Sequence, residues 1–175
     1  MNTHRAPDLT DLRRVWAWKP CPWGGGPADR LAVAWHEAGH AVYARWIGWD
    51  MRRVELHADG GDCFPEPIDP EVTHQLEDED GEIRATAAGL FHAGLAAELL
   101  RAKLPWRGPI ARPRQTDHHR AETMLAPGFG ANTLPGHAYA QLQALHALSA
   151  HWDEVAAIAA ILQRDGVWSP QAMVA

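Results

Sequence analysis

The segment His36-Glu37-Ala38-Gly39-His40 constrains the fold of this 175-residue chain more than any other feature. It lies within a strongly apolar stretch, residues 31–47, which predicts a largely buried helix. Residues four apart on a helix share one face, so His36 and His40 aim at the same point. Two imidazoles and a carboxylate are costly to bury unless they have partners. The pattern therefore predicts a metal centre built into a core helix.

Zinc is the metal that this pattern favours. In catalytic sites, zinc takes two imidazoles and an oxygen ligand and keeps a fourth position open for water. Glu37 lies one position round the helix, where it can accept a proton from zinc-bound water as the general base. We therefore expect Zn²⁺ on His36 and His40. The third ligand has to come from elsewhere in the chain. From the residues alone, several candidates stay open, which include His92, Glu98, Asp117, His118 and His119.

Hydrophobic spacing predicts a mainly α (α+β) fold. Helices are expected over residues 29–48, 83–103, 117–125 and 137–164, the last as one helix or two, with Asp29 and Thr116 as caps. A small β-hairpin is expected after the HExxH helix, from a strand at residues 51–57 and a return at Cys63-Phe64. Gly39 costs about 1 kcal/mol inside a helix, which makes sense if another segment or the substrate approaches closely.

The domain organisation follows from where proline and glycine cluster. Residues 1–27 are rich in both and are expected to form an irregular N-terminal arm, and residues 28–175 a single domain. The net charge of −6 argues against a nucleic-acid partner, since phosphate binding needs a basic face. No long apolar run or signal peptide is recognisable, so we expect no membrane insertion. Two cysteines without a CxxC pair indicate reduced thiols in a cytoplasmic protein.

Three segments in the same order resemble the peptidase domain of the FtsH-type zinc metallopeptidases, an Asp-zincin-like family with a HEAGH helix. They span residues 33–125, about half of the chain. The HEAGH helix is the most specific of them. The segments are Val33-Ala34-Trp35-His36-Glu37-Ala38-Gly39-His40-Ala41-Val42, Ala93-Gly94-Leu95-Ala96-Ala97-Glu98-Leu99-Leu100 and Thr116-Asp117-His118-His119-Arg120-Ala121.

The resemblance implies a role for two more residues. It makes Asp117 the third zinc ligand, carried at the start of a helix. It places Glu98 near the metal, where it would orient a ligand histidine. From the residues alone, Asp117 could equally serve to stabilise the helix N-terminus, and Glu98 could be an exposed charge.

The resemblance also implies an activity, that of a zinc-dependent metallopeptidase. Members of the family usually carry an AAA+ ATPase module, and this chain contains no GxxxxGK[ST] phosphate-binding loop. We therefore expect cleavage of unfolded or flexible polypeptides, or a separate ATPase or adaptor that delivers substrate. The strand at residues 51–57 is expected to be an edge strand on which substrate adds. Two alternatives stay open: a non-catalytic zinc-binding regulatory or interaction module, and a narrow-specificity regulatory protease.

Overall fold

The computed structural model describes residues 4–23, 29–58, 60–65, 81–113 and 115–170. Parts of the predicted N-terminal arm, residues 1–3 and 24–27, lie outside these ranges. In the described residues, one helix is followed by two short strands, four further helices and a last, two-residue strand. Their order is α1 (Arg30–Trp46), β1 (Met51–Leu56), β2 (Gly61–Pro65), α2 (Gly81–Arg101), α3 (Thr116–Phe129), α4 (Leu134–Ala150), α5 (Trp152–Asp165) and β3 (Val167–Trp168). The mainly α (α+β) prediction is confirmed.

Helix α1 forms where the apolar pattern predicts it. Asp29 is its N-cap, and the side chain accepts a hydrogen bond from the Ala32 amide at 2.6 Å. The helix ends at Trp46, and Gly48 then turns the chain with a φ of 80°, a conformation that glycine adopts without strain. Between these ends the helix is buried on all sides from Glu37 to Ala44, a stretch that includes His40.

Helix α2 packs against α1, α3 and α4 and forms the centre of the domain. Its contact with α1 is close because both helices carry small residues there. A Cβ at Gly39 would overlap the carbonyl oxygen of Ala93 and the side chain of Ala97. The glycine inside α1 is therefore explained by the approach of another segment, as the sequence predicted. The core also takes in larger side chains, among them Val42, Leu99, Leu145, Leu148, Ile158 and Leu162.

The three strands form one antiparallel sheet in the order β2-β1-β3. The predicted hairpin is confirmed, with Val54 opposite Cys63 and Leu56 opposite Gly61. Strand β1 is nevertheless central, so the expectation that it is an edge strand is wrong. The two-residue strand β3 was not predicted, because it is too short for a periodic pattern. Gly166 brings it alongside β1, and its carbonyl accepts a hydrogen bond from the Leu56 amide at 2.8 Å.

The C-terminal helices differ from the prediction at their ends. The N-cap of α3 is Gln115, so Thr116 is the first residue of the helix and not its cap. The helix also continues through Pro127 to Phe129. Proline deprives the carbonyl four residues earlier of its partner, and Thr123 is exposed, so water can replace that bond. The region 137–164 forms two helices, which His151 separates.

The described part of the N-terminal arm lies against the helical body. Trp16 packs edge-on against Trp106 with ring centroids 5.3 Å apart. The Lys19 amide donates to the Pro109 carbonyl at 2.7 Å, and Lys19 forms an isolated parallel bridge with Ile110. Across the described helices, none combines the length and the apolar character that crossing a bilayer requires.

Candidate metal centre

Three side chains that the sequence named as metal ligands converge on one point. His36 and His40 come from successive turns of α1, and Asp117 comes from the first turn of α3. The Asp117 Oδ2 atom lies 3.1 Å from His36 Nε2 and 3.3 Å from His40 Nε2. One ligand atom from each residue lies within 4.8 Å of the other two. This spacing suits a single metal ion with two nitrogen ligands and one oxygen ligand.

The other nitrogen of each imidazole is already held by the protein. His36 Nδ1 lies 2.6 Å from Glu98 Oε1, and His40 Nδ1 lies 2.7 Å from the carbonyl oxygen of Leu90. Both partners accept hydrogen bonds, so each Nδ1 carries a proton, and each Nε2 is the atom left to bind a metal ion beside Asp117. Metal-binding histidines are commonly oriented in this way. Glu98 thus lies beside His36, one of the two histidines that the sequence predicts as metal ligands.

Arg112 was not predicted to belong to this site. Its guanidinium binds both oxygens of Glu98, with Nη1–Oε1 and Nη2–Oε2 distances of 3.1 and 2.6 Å. This series of hydrogen bonds, from Arg112 through Glu98 to His36, holds the imidazole at its Nδ1 atom. Sequence spacing gave no signal for Arg112, because it lies in a loop after α2 and reaches Glu98 only through the tertiary fold.

The charges of the site shift the pKa values of its members strongly. Burial lowers the pKa of His36, but hydrogen bonds to Asp117 and Glu98 outweigh it and raise that pKa to about 10. Burial likewise opposes protonation of His40, whose pKa is nevertheless raised by the charge of Asp117. Burial raises the pKa of Asp117, yet the two histidines hold that pKa far below its usual range. The site therefore strongly favours positive charge next to Asp117.

Glu37 lies beside the ligands and under strand β2. It is 7% exposed, and its Oε2 atom lies 3.2 Å from the Cys63 sulfur, which donates to it. A Cβ at Gly61 would overlap the Glu37 side chain. Burial, followed by the nearby Glu37 charge, raises the pKa of the Cys63 thiol. Cys63 is a second unpredicted neighbour of the site, since a lone cysteine in a hairpin carries no sequence signal.

A cavity next to the metal centre, here called the side cavity, is lined by His36, Asp117, His92 and His118 and by apolar walls that include Phe91 and Leu95. Of the histidines in the pool of candidate third ligands, His92 and His118 therefore lie near the centre without joining the ligand group. His119, by contrast, is exposed on α3.

The chain shows a partial likeness to a curated protein. The chain matches no protein-family model. It is 33% identical over 97 residues to the S-adenosylmethionine:tRNA ribosyltransferase-isomerase of Jannaschia sp. (strain CCS1). The similar stretch covers 53% of this chain and 26% of that protein, so the chain spans about a quarter of the length of the curated relative it matches.

Proposed function

We propose that this chain is a zinc-dependent metallopeptidase that hydrolyses peptide bonds of unfolded or flexible polypeptides. The observation that carries the proposal is the convergence of His36, His40 and Asp117 beside the carboxylate of Glu37. A structural zinc site has no need of a carboxylate that lies next to the ion without binding it. It also usually fills all four positions with protein ligands, whereas the residues that the structure describes offer three.

The donor set fits zinc. Two imidazole nitrogens and one carboxylate oxygen are ligands that zinc accepts. Among the described residues, Asp117 is the protein partner of Nε2 in both imidazoles. The second hydrogen bond of each imidazole, to Glu98 or to the Leu90 carbonyl, increases the basicity of the ligand nitrogen. Asp117 supplies the negative charge that a dication needs in a buried site.

Glu37 performs the proton transfers in the proposed reaction. When bound, zinc polarises the scissile carbonyl and lowers the pKa of the attacking water. Glu37 accepts a proton from that water as its oxygen bonds to the carbonyl carbon. The carbon–nitrogen bond then breaks, and Glu37 returns the proton to the leaving amine. The products are a carboxylate and an amine, and no covalent intermediate with the protein forms.

Strand β2 offers the substrate an edge to pair with. Among the described residues, β2 pairs with β1 on one side only. The His57 amide donates to the Gly60 carbonyl at 2.8 Å, which makes this pair a hydrogen-bonded one. Hydrogen-bonded pairs alternate along an antiparallel ladder, so the backbone N–H and C=O groups of Gly61 and Cys63 point away from β1. A polypeptide that adds there lies beside the strand that covers Glu37.

Replacement of Glu37 by Gln tests this function. The zinc-loaded protein is incubated with an unfolded protein, with and without a chelator, and fragments are followed by mass spectrometry. We expect chelator-sensitive cleavage, lost by a factor of about 10² or more in Glu37→Gln while zinc content stays the same. Glu154→Gln on α5 serves as the matched control, because it makes the same chemical change in an exposed pair with Arg45.

Two results would contradict the proposal: full activity in Glu37→Gln, or a zinc-loaded protein that cleaves neither the unfolded protein nor peptides. The second result would favour a non-catalytic zinc-binding module.

We place the protein in the cytoplasm, since Cys21 and Cys63 are free thiols, the usual state in a reducing compartment. A separate ATPase or adaptor would extend the reaction to folded substrates.

A role in tRNA modification is a second candidate, favoured only by the partial match to a tRNA ribosyltransferase-isomerase. The net charge of −6 weighs against it, because a nucleic-acid surface needs an excess of Lys and Arg. Titration with unmodified tRNA and with S-adenosylmethionine distinguishes the two functions. Binding of either in the micromolar range would move the assignment toward this candidate.

A further inference from the structure

The N-terminal arm and the loop that follows α2 run side by side in the same direction. Lys19 forms its parallel bridge with Ile110. Three residues earlier on the arm, Trp16 packs edge-on against Trp106 of the loop. Because the two segments keep this parallel course, the arm residues just before Trp16 come close to the loop residues just before Trp106.

These two segments carry positive charge without any negative charge. Residues 12–23 and 101–113 contain seven Lys and Arg residues and no Asp or Glu. Five of the seven are exposed, and none of the five forms an ion pair with another described residue. We call the surface that they form the basic face; its cations are Arg13, Arg14, Lys19, Lys103 and Arg107.

Side-chain contacts place cations of both segments on the same surface. The guanidinium of Arg14 lies over the ring of Trp16, 4.4 Å from its centroid. A Cβ at Gly108 would lie 3.2 Å from Lys19 Cε, so the lysine side chain passes along the loop next to Arg107. The arm and the loop therefore present their charges together.

The basic face also exposes large aliphatic side chains. Val15 is 95% exposed, the highest value among the exposed large hydrophobic side chains of the described residues, and Leu104 is 37% exposed. A single exposed apolar residue needs no explanation. Here, however, Val15 follows two arginines and Leu104 follows Lys103, so apolar and cationic groups share one surface.

This combination fits lipid better than another polyanion. At an anionic bilayer, Lys and Arg interact with the phosphate headgroups while aliphatic side chains enter the boundary with the acyl chains. Single-stranded nucleic acid would use the same cations, but its bases stack on flat rings, which Val15 and Leu104 do not offer. An acidic polypeptide likewise leaves the two aliphatic side chains without a purpose.

We propose that the basic face binds the surface of an anionic phospholipid bilayer, with Val15 and Leu104 entering the headgroup region. The inference goes beyond the proposed peptidase function and does not depend on it. Binding at the surface requires no spanning helix. The overall charge of −6 does not oppose it, because the surface potential acts only over a Debye length, about 8 Å at physiological ionic strength. The cations nearest the bilayer therefore dominate.

Sedimentation with lipid vesicles tests the proposal on the full-length, zinc-loaded protein. One set of vesicles contains phosphatidylcholine alone, and the other contains phosphatidylcholine mixed with phosphatidylglycerol. We expect binding to the mixed vesicles that weakens as NaCl is raised, and little binding to the neutral vesicles. Failure to bind the mixed vesicles at low salt would overturn the proposal.

A double variant tests the cations. Arg13→Gln with Arg14→Gln should lower the partition coefficient about fivefold for each charge removed, or about 25-fold in total. Arg52→Gln with Arg53→Gln is the matched control, because it removes two exposed, adjacent arginines from strand β1, outside the basic face. Equal losses in the two double variants would mean that net charge matters and the basic face does not.

Val15→Ser tests the aliphatic contact, which separates lipid from other polyanions. The variant should bind the mixed vesicles about tenfold more weakly, since a valine that leaves water is lost. Val167→Ser, a matched change of an exposed valine on β3, should bind like the parent protein. Unchanged binding in Val15→Ser would contradict entry into the bilayer.

Titration with a single-stranded RNA oligonucleotide covers the main competing partner. RNA binding that Arg13→Gln with Arg14→Gln abolishes, in a protein that does not bind vesicles, would make the basic face a nucleic-acid surface and overturn the proposal. None of these results decides the peptidase function, because the basic face contains no residue of the metal centre.

Discussion

The α-carbon of Gly94 on α2 lies so close to the imidazole of His36 on α1 that a methyl group at residue 94 would overlap the ring. The absence of a side chain at Gly94 therefore makes room for the His36 ring, and the backbone of α2 forms one wall of the candidate metal centre. The same helix supplies Glu98, which holds His36 by its other nitrogen, 2.6 Å away. Helix α2 thus sets both the position of the His36 ring and the hydrogen-bond partner of its Nδ1 atom.

Replacement of Gly94 by Ala should displace the His36 ring and weaken zinc binding by about tenfold or more. Alanine favours a helix over glycine by about 1 kcal/mol, but overpacking costs about 1–3 kcal/mol, so the zinc-free protein should also lose stability or at best stay the same. Zinc affinity is measured by competition with a chromogenic chelator. Gly60→Ala is the control, because a Cβ there meets nothing within 4 Å. Unchanged affinity in Gly94→Ala would show that the ring has room to move.

Loss of the Arg112 side chain should destabilise the protein by about 3 kcal/mol, because Glu98 would remain partly buried without its cation. Arg112→Lys should lose less, since it keeps the charge and loses only the two-pronged contact. Thermal unfolding of the zinc-free protein measures both effects. In Glu98→Gln, the further change Arg112→Ala should cost markedly less than in the parent protein. Equal costs in the two backgrounds would mean that the two residues are not coupled.

Cys63→Pro should raise the KM for peptides while zinc content stays unchanged. The Cys63 amide points away from β1, so proline removes a donor at the free edge without breaking the β1–β2 ladder. Cys63→Ala removes the thiol next to Glu37 but keeps the amide, and it should retain activity. The comparison of the two variants isolates the backbone donor. A KM in Cys63→Pro equal to that in Cys63→Ala would exclude strand addition at this edge.

The stabilisation that zinc gives should grow as the pH rises from about 6 to about 9, since zinc and protons compete for the same ring nitrogens. In protein kept free of zinc by a chelator, the raised pKa of His36 stabilises the fold. This stability is fully present at pH values below the unfolded-state pKa of 6.5 and is lost as the pH rises through about 10. Zinc requires the deprotonated ring and acts in the opposite sense. Melting temperatures with and without zinc across this range measure the difference. Asp117→Asn should abolish most of it, and a difference that shrinks with rising pH would contradict the assignment.

Helix α1 was predictable because its signal is local, and the same local spacing made His36 and His40 the predicted pair of metal ligands. Two histidines at a helical spacing inside an apolar stretch define one face, and Asp29 marks the start of the helix. Asp117 and Glu98 needed a resemblance to a known family, since their distance from His36 along the chain carries no geometric information. Arg112, Cys63 and the backbone carbonyl of Leu90 were missed because each reaches the site from a different element.

The sheet gives a second example of what the sequence could not predict. The hairpin was predictable from its turn and alternating residues, yet the role of its strands was not. Strand β1 became central only because Gly166 brings Val167–Trp168 back to it from the far end of the chain. Since pairing between distant segments has no local pattern, the free edge could not be located from the residues.

The sequence by itself determined the chemistry of the candidate site and the class of fold. It specifies a buried helix with two imidazoles on one face and a carboxylate beside them. It also specifies a mainly helical fold around that helix. The tertiary structure alone decided the rest of the centre, because it depends on how closely helices approach. Gly39 and Gly94 let α1 and α2 come together until α2 can orient the ligands, and the start of α3 then brings Asp117 within 3.1 Å of His36 Nε2. Packing distances of this kind are properties of pairs of surfaces, which no single segment encodes.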